Sequence, residues 1–422
     1  MNDILGEDVP YWQYLERCAR EVFGEYGYQE MRVPLVENTE LFKRSIGEFT
    51  DIVEKEMYTF LDKGGESLTL RPEATAGLVR AAISNGMLHN QKHRIWTSGP
   101  MFRHERPQKG RYRQFHQLDC EAFGYEGPDV DAEMILLSAR LWQRLGIGRV
   151  SLQINSLGTP DSRREYRELL TRHFEAHRAQ LDEDSLRRLQ GNPLRILDSK
   201  NPEMRPVVDA APVITDHLDA GSRAHFQGLQ AHLDACGIDY VINPRLVRGL
   251  DYYTRTVFEW TSDALGAQDA VCSGGRYDGL VAQLGGEPTP AIGWGLGQER
   301  VTELLRASGA TVPGTLPDVY VVLAGGRAER EGLALVERWR DALAGVRITT
   351  HLGGGSFKSQ LKRADRSGAA LAVILGDDEV ERRTASIKTL RDERPQEQYG
   401  WPDVPARIES LLRRQETQRG EE

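Results

Sequence analysis

No apolar run in this sequence approaches the roughly 20 residues that a membrane-spanning helix needs, and the 422-residue chain has the composition of a soluble globular protein. The first residues, MNDILGEDVPYWQYLERC, are acidic and hold no basic segment followed by an apolar one, so no secretory signal is visible. Cysteine is scarce. Cys18, Cys120, Cys236 and Cys272 stand apart, with no CxxC or Cys/His spacing to suggest zinc, and read as buried structural thiols in a reducing cytosol. An excess of positive charge is missing too. The formal net charge of −9 argues against bulk capture of nucleic acid, while leaving room for local basic tracks at 103–113 and 358–366. No GxxxxGK[ST] phosphate loop occurs, and the glycines within 291–300 are spaced GxGxG with no following βαβ unit. A nucleotide bound here would have its phosphates held by arginine side chains.

What the sequence does contain is concentrated in residues 98–124, SGPMFRHERPQKGRYRQFHQLDCEAFG. Strand formers over 95–106, the turn residues Pro107-Gln108-Lys109-Gly110 and a return over 112–123 predict a hairpin. Side chains alternate along a strand, which puts Arg103 and Glu105 on one face, and Arg113, Phe115, Gln117, Asp119 and Glu121 together on the return. A hairpin serving only a core would carry aliphatics there. A solvated edge hairpin with self-paired charges is the plain alternative. Five cations against one carboxylate between Arg103 and Arg113 weigh against it, because crowded like charges need an anion to offset them. The chemistry indicated is an anionic substrate with a flat ring, held beside a small polar group.

At this length two or three domains are expected. Apolar spacing predicts a helix over 11–27, then a strand over 28–36 that Pro34 confines to an edge or interface. A short helix over 40–46 and a strand pair, 56–61 with 67–70, follow. Arg71-Pro72-Glu73-Ala74-Thr75 opens the next helix with Glu73 near its positive end. That is ordinary helix-start chemistry, and equally a carboxylate and hydroxyl placed to grip an ammonium group. Residues 155–236 are dominated by amphipathic helices, such as 161–180 and 183–190, and read as a helical insertion. Strand character returns at 240–243, in LVRGLDYYTRTVFEW (246–260) and in CSGGRYDGL (272–280). Gly274 and Gly275 suggest backbone brought close to a ligand or a neighbouring strand. An arginine beside tyrosines in each segment points to a pocket. A helix over 299–308 follows. Beyond a linker at 313–317, strands at 319–323, 347–350 and 370–375 alternate with helices at 328–344 and 356–367. That alternation predicts a small α/β domain with a largely parallel sheet. Residues 414–422 read as frayed.

Together these motifs resemble the class II aminoacyl-tRNA synthetases, and among them the histidyl-tRNA synthetase family, over nearly the whole chain. The family's motif 1 resembles 28–36 with Pro34, motif 2 resembles 102–124, and motif 3 resembles 293–300. Its two histidine signatures resemble Arg248-Gly249-Leu250-Asp251-Tyr252-Tyr253 and Ser273-Gly274-Gly275-Arg276-Tyr277. Each is moderately specific alone; five in the right order are strong. The resemblance implies an α+β fold: a class II antiparallel-sheet catalytic core in two parts, 1–155 and 239–315, around a helical insertion, 156–238, followed by a C-terminal α/β anticodon-binding domain, 316–422. It implies a cytoplasmic homodimer formed through motif 1, with no metal held by the protein alone. The implied reaction joins histidine and ATP into histidyl-adenylate and pyrophosphate, then transfers histidine to the 3′ end of tRNA-His and releases AMP.

By the family's pattern Arg248 and Arg103 would be the catalytic residues, gripping the α-phosphate where two anions must meet. A planar, permanently charged guanidinium suits that task better than lysine. ATP would be held by Arg103, Glu105, Arg111, Arg113, Phe115 and Arg300, with Phe115 on adenine, Arg300 on the terminal phosphates and the opposite face of the ring, and Mg²⁺ bridging the phosphates. Glu73, Ala74, Thr75 and Gln117 would surround the ammonium of histidine; Glu121, Tyr253 and Tyr277 would read its imidazole, and Tyr252 would line the pocket. Arg106 and Gln108 would meet the acceptor end of tRNA, and Lys358 and Lys362, beside Arg363 and Arg366, the anticodon stem. Without the resemblance that last helix would read as a solvated basic face. Three positions depart from the pattern: Ala74 stands where the family often has glycine, and Gly295 and Gln298 replace small-apolar and apolar residues. The chain also opens inside a segment that the family usually begins a few residues earlier. Synthetase-like regulatory subunits share this core, but would be expected to lack the C-terminal domain and to have eroded signatures; this chain keeps Arg103, Glu121, Arg248 and Arg300.

Overall fold

The computed structural model describes residues 1–47, 50–108, 110–199, 201–265, 270–310, 312–392 and 394–419, with side chains described as far as 414. They form two compact units, Met1–Val312 and Pro313–Glu422.

The first unit is organised by alternation along its strands. In Gln114–Phe123 the even positions Leu118, Cys120 and Ala122 are apolar, and so are Ile292, Trp294 and Leu296 in the neighbouring strand Ala291–Gly297. All six join one buried cluster with Leu15, Val22 and Phe23 of the helix Val9–Glu25. Pro128–Leu145, Ala220–Ala235 and Gln298–Ala307 contribute to the same cluster. The odd positions face the other way and make the floor of a cleft. The sheet has eight strands in the order Gln29–Glu30, His93–Phe102, Gln114–Phe123, Ala291–Gly297, Ala270–Arg276, Thr254–Thr261, Ser151–Ser156, Val241–Ile242. Pairing is antiparallel except at the two short edge strands. A small antiparallel sheet of Val36–Asn38, Ser67–Leu70 and Tyr58–Leu61 lies in the same unit.

Two strand predictions need correction. The strand expected over 28–36 is only Gln29–Glu30, paired with Ile95 and Trp96; Val36–Asn38 belongs to the small sheet. Pro34 lies between them and has no N–H to continue a ladder. Arg71 serves this irregular segment, donating to the carbonyls of Val33 (3.3 Å) and Pro100 (2.9 Å). The motif 2 hairpin was expected to run as strand through Arg106 and from Tyr112. Instead the strands are His93–Phe102 and Gln114–Phe123, and pairing ends where Arg103 N donates to Arg113 O at 2.9 Å. Arg103, Glu105 and Arg113 therefore sit on a loop and do not share strand faces. Pro107, and Gly110 at φ 71°, set that loop's path; Lys109 lies outside the described residues.

The helices of 160–235 share cores with the sheet. Tyr166, Leu170 and Phe174 of Pro160–Ala176 pack into the cluster that holds Tyr252, Tyr253 and Tyr277, while Phe226, Leu229 and Leu233 join the cluster beneath the sheet.

In the second unit Val319–Ala324 lies between Ile348–Thr350 and Leu371–Gly376, parallel to both. Thr384–Thr389 and Glu397–Gly400 then add antiparallel strands, so the sheet is mixed where a largely parallel one was expected. Chain length is the reason. Parallel neighbours need a crossover of about a dozen residues or more, whereas only the short helix Asp377–Arg382 and Arg383, at φ 53°, precede the return. The final helix, Val404–Arg419, continues into the stretch expected to fray; 420–422 are outside the described residues.

Candidate active site

On the cleft side of the sheet, side chains fall into rows set by strand register. One row carries Glu121, Gly293, Gly275 and Val257; the next carries Asp119, Gly295, Ser273 and Glu259. The glycines keep the middle of the floor clear. A Cβ on Gly293 would stand 1.5 Å from Glu121 Oε2, and one on Gly295 2.5 Å from Asp119 Oδ1. This accounts for glycine at 295, and Gln298 is equally specific: its amide donates to Ser98 Oγ at 3.0 Å and to the Gln117 carbonyl at 3.2 Å.

Over the floor lies a cavity of about 190 Å³ walled by Glu73, Thr75, Gln117, Asp119, Glu121, Arg248 and the tyrosines Tyr252, Tyr253 and Tyr277, with Arg103 at its margin. Glu121 is 1% exposed and accepts from Thr75 Oγ1 at 2.6 Å and Tyr277 Oη at 2.5 Å. Burial raises its pKa to about 8 against those two hydrogen bonds. Asp119 is pushed well above the usual carboxylate range by burial first, then by Glu121 and Glu73. Glu73 caps the helix Thr75–Ser84, accepting from Thr75 N at 2.7 Å and Ala76 N at 2.9 Å; burial raises it too. Tyr252 stands 4.7 Å from Tyr253 and 5.5 Å from Tyr277 between ring centroids.

A second cavity, of about 650 Å³, shares Arg103, Gln117, Arg248, Ser273 and Gly295 with the first and adds Glu105, Arg111, Phe115, Glu259 and Arg300. Arg248 is fixed by two neighbours in one floor row, donating to Glu259 Oε2 at 2.8 Å and Ser273 Oγ at 2.5 Å. Arg103 donates to Pro72 O at 2.8 Å and places its guanidinium 5.1 Å from the Phe115 ring centroid. Arg300 reaches the carbonyls of Gly110 at 3.3 Å and Ala270 at 2.6 Å, and Arg111 pairs with Glu105 at 3.4 Å. No three His, Cys, Asp or Glu side chains cluster as a metal cage among the described residues.

Some expected residues stand elsewhere. Ala74 is fully buried in the core beside Leu78 and lines neither cavity. Arg113 also lines neither and donates to Glu105 O at 3.5 Å. Arg106 and Gln108 are exposed on the loop; Lys358 and Lys362 are exposed on the helix Phe357–Arg366 of the second unit. Arg276, read as a pocket residue, points to the opposite face: wholly buried, it pairs with Asp131 at 2.5 Å and Asp278 at 3.0 Å. Strand alternation places it there, since Ser273 and Gly275 face the cleft. Glu259 and Ser273 were not singled out from sequence, although a carboxylate between the buried aromatics Phe258 and Trp260 signals a different face. Asp182, Arg188 and Arg195 also reach the larger cavity from the helical segment, and no local pattern announces that.

A small cavity lined by carboxyls and tyrosines beside a larger one lined by arginines, on an antiparallel sheet with these motifs in order, defines the catalytic core of a class II aminoacyl-tRNA synthetase. The family model described as histidyl-tRNA synthetase matches residues 1–301, and the anticodon-binding domain model matches 318–411. The chain belongs to the histidyl-tRNA synthetase family. It is 56% identical over 412 residues to a histidine--tRNA ligase of Hydrogenovibrio crunogenus, covering 98% of this chain and 97% of that one. To the corresponding ligase of Halorhodospira halophila it is 55% identical, covering 97% of both chains. The solved apo histidyl-tRNA synthetase of S. aureus superposes with a TM-score of 0.80 at 36% identity, over 97% of this chain and 98% of that one.

Proposed function

We infer that this chain attaches histidine to tRNA-His, using ATP and passing through histidyl-adenylate. The observation that carries the reading is the shared floor: one sheet surface supplies a carboxyl–tyrosine compartment sized for a small polar ring and an arginine compartment suited to phosphates. In the first step a carboxylate oxygen of histidine bonds to the α-phosphorus of ATP, and the bond to pyrophosphate breaks. In the second the terminal ribose hydroxyl of the tRNA attacks the adenylate carbonyl and AMP departs. The first step joins two anions, so fixed cations lower its barrier without moving a proton. Arg248 is immobilised by Glu259 and Ser273 at the junction of the two cavities, and Arg103 stands beside it; these two grip the α-phosphate. Phe115 offers its ring to adenine, and Arg300 and Arg111 meet the terminal phosphates, with Glu105 lining the same cavity. Glu121 accepts from the imidazole N–H, with Tyr253 and Tyr277 fixing the ring. An apolar analogue would leave that buried group unpaired, which is how such a pocket rejects look-alikes.

Glu105 and Glu259 line the larger cavity and would be the carboxylates to hold Mg²⁺ beside the phosphates, where the ion would offset phosphate charge. The homodimer reading is supported by the edge position of Gln29–Glu30 and by Leu35 and Val36, a few residues further along the chain, which remain 42% and 36% exposed. Arg106 and Gln108 would meet the acceptor end, and Lys358 and Lys362 the anticodon stem, where phosphate contacts position an RNA. Four free cysteines suit a cytoplasmic enzyme. No helix among the described residues is long and apolar enough to cross a membrane. The test is charging with purified components: labelled histidine should become acid-precipitable with tRNA-His and ATP, and not with a tRNA for another amino acid. Absence of charging with tRNA-His would refute the reading.

A further inference from the structure

The signature Arg248-Gly249-Leu250-Asp251-Tyr252-Tyr253 lies between the strands Val241–Ile242 and Thr254–Thr261 and is itself neither helix nor strand. No sheet ladder among the described residues holds it, yet it carries Arg248 and two of the pocket tyrosines. Glu259 and Ser273 fix the tip of Arg248; the backbone beneath that side chain needs partners of its own. Hydrogen bonds from other segments bracket it. Two residues before Arg248, the Leu246 carbonyl accepts from Asn155 Nδ2 at 3.0 Å. Three residues after it, Asp251 Oδ1 accepts from Asn192 Nδ2 at 2.7 Å, and Asp251 N donates to Ile46 O at 3.3 Å. The Tyr253 carbonyl accepts from the Arg163 guanidinium.

Two of these donors come from the helical segment. Arg163 stands in Pro160–Ala176, which Tyr166, Leu170 and Phe174 anchor in the core that also holds Tyr252 and Tyr253. Asn192 follows the helix Glu183–Gly191 and caps the single turn Pro193–Ile196, accepting from Leu194 N at 3.2 Å. Leu194 and Ile196 are buried in that same core, so both donors are themselves held firmly. Asn192, Arg163 and Asp251 line neither substrate cavity. They meet in a separate cavity of about 500 Å³, which shares Arg248 and Leu250 with the small one. We propose that Asn192 and Arg163 are positioning residues for histidine activation: through Asp251 and the Tyr253 carbonyl they set the loop so that Arg248 meets the α-phosphate. The helical segment thereby takes part in the first step of the reaction, before any tRNA binds. The proposal deepens the activation reading and rests on it.

Histidine-dependent ATP–pyrophosphate exchange by the full chain, without tRNA, tests this through Arg248. Asn192→Ala should lower kcat by about tenfold or more, because moving a reacting group by about 1 Å can cost a hundredfold. The KM for ATP should stay within about twofold, since the lost interaction acts on the transition state rather than on substrate binding. Arg163→Met should lower kcat likewise, and Arg163→Lys, which keeps a cationic donor, should restore part of it. In the Arg248→Ala background Asn192→Ala should cost less than about a further threefold, because residues acting through one group are not additive. If Arg163→Met fails to fold, Asn192→Ala alone and in that background carries the test. An unchanged kcat in Asn192→Ala, or the same loss with and without Arg248, would overturn the assignment. A wild-type chain with no histidine-dependent exchange would overturn the activation reading, and this proposal with it.

Discussion

Replacing Glu121 with glutamine isolates the cost of keeping a carboxyl group in a dry wall of the cavity. The group is 1% exposed, and burial raises its pKa to about 8 from an ordinary 4.5. The folded state therefore holds a proton that the unfolded chain releases between those values. The resulting stability is fully present below pH 4.5 and is lost as pH rises through 8. One proton's difference between the two states changes stability by about 1.36 kcal/mol for every pH unit, so this group alone should remove about 3 kcal/mol between pH 5.5 and 8.5. Glutamine keeps the shape and cannot ionise, so the variant should lack that loss. Urea unfolding followed by tryptophan fluorescence, on both proteins at both pH values without ligand, gives the difference directly. Contributions common to the two proteins cancel, apart from the coupling of Glu121 to the nearby Asp119 and Glu73. A gap between wild type and Glu121→Gln that stays constant from pH 5.5 to 8.5 would show that Glu121 is not protonated in the empty pocket.

Gly293→Ala would place a methyl group 1.5 Å from Glu121 Oε2. The carboxyl must then leave Thr75 and Tyr277, and we expect at least a tenfold rise in the histidine KM in pyrophosphate exchange, with about 1–3 kcal/mol of destabilisation in urea from overpacking. Arg276→Leu should cost about 3 kcal/mol or more in the same unfolding assay, because it leaves Asp131 buried without its main cation. Its histidine KM should stay within about twofold of wild type, since the side chain lies on the far face of the sheet. Sedimentation of Leu35→Asp with Val36→Asp should show a monomer if the motif 1 region forms the dimer contact; an undisturbed dimer would refute that placement.

Much of this site was legible because strand periodicity is rigid. Once 114–123 is a strand, Phe115, Gln117, Asp119 and Glu121 must share a face, and they do. The same rule, applied to 270–276, would have turned Arg276 away from the pocket; its neighbours' polarity suggested otherwise. The loop 103–113 was harder, since arginines and a tyrosine suit a strand as well as a loop and only Pro107 and Gly110 argue for the loop. Glu259 and Ser273 become recognisable only through cross-strand register with Gly295, which depends on pairings distant in sequence. The same holds for Asp182, Arg188 and Arg195, carried to the larger cavity by packing of helices. In the second unit the elements as far as 375 were readable, whereas the antiparallel strands Thr384–Thr389 and Glu397–Gly400 were not anticipated, because whether the sheet turns back depends on whether a short connection can cross over.

The central claim is that the two cavities activate histidine through a fixed arginine. ATP–pyrophosphate exchange with each of the twenty amino acids in turn, using wild type and Arg248→Ala, tests it most directly. Histidine alone should support exchange in the wild type. Arg248→Ala should lower that exchange by about a hundredfold or more, the scale for removing one group that stabilises transition-state charge, while unfolding as the wild type does. Exchange that is independent of histidine, or that survives the loss of Arg248 unchanged, would contradict the account.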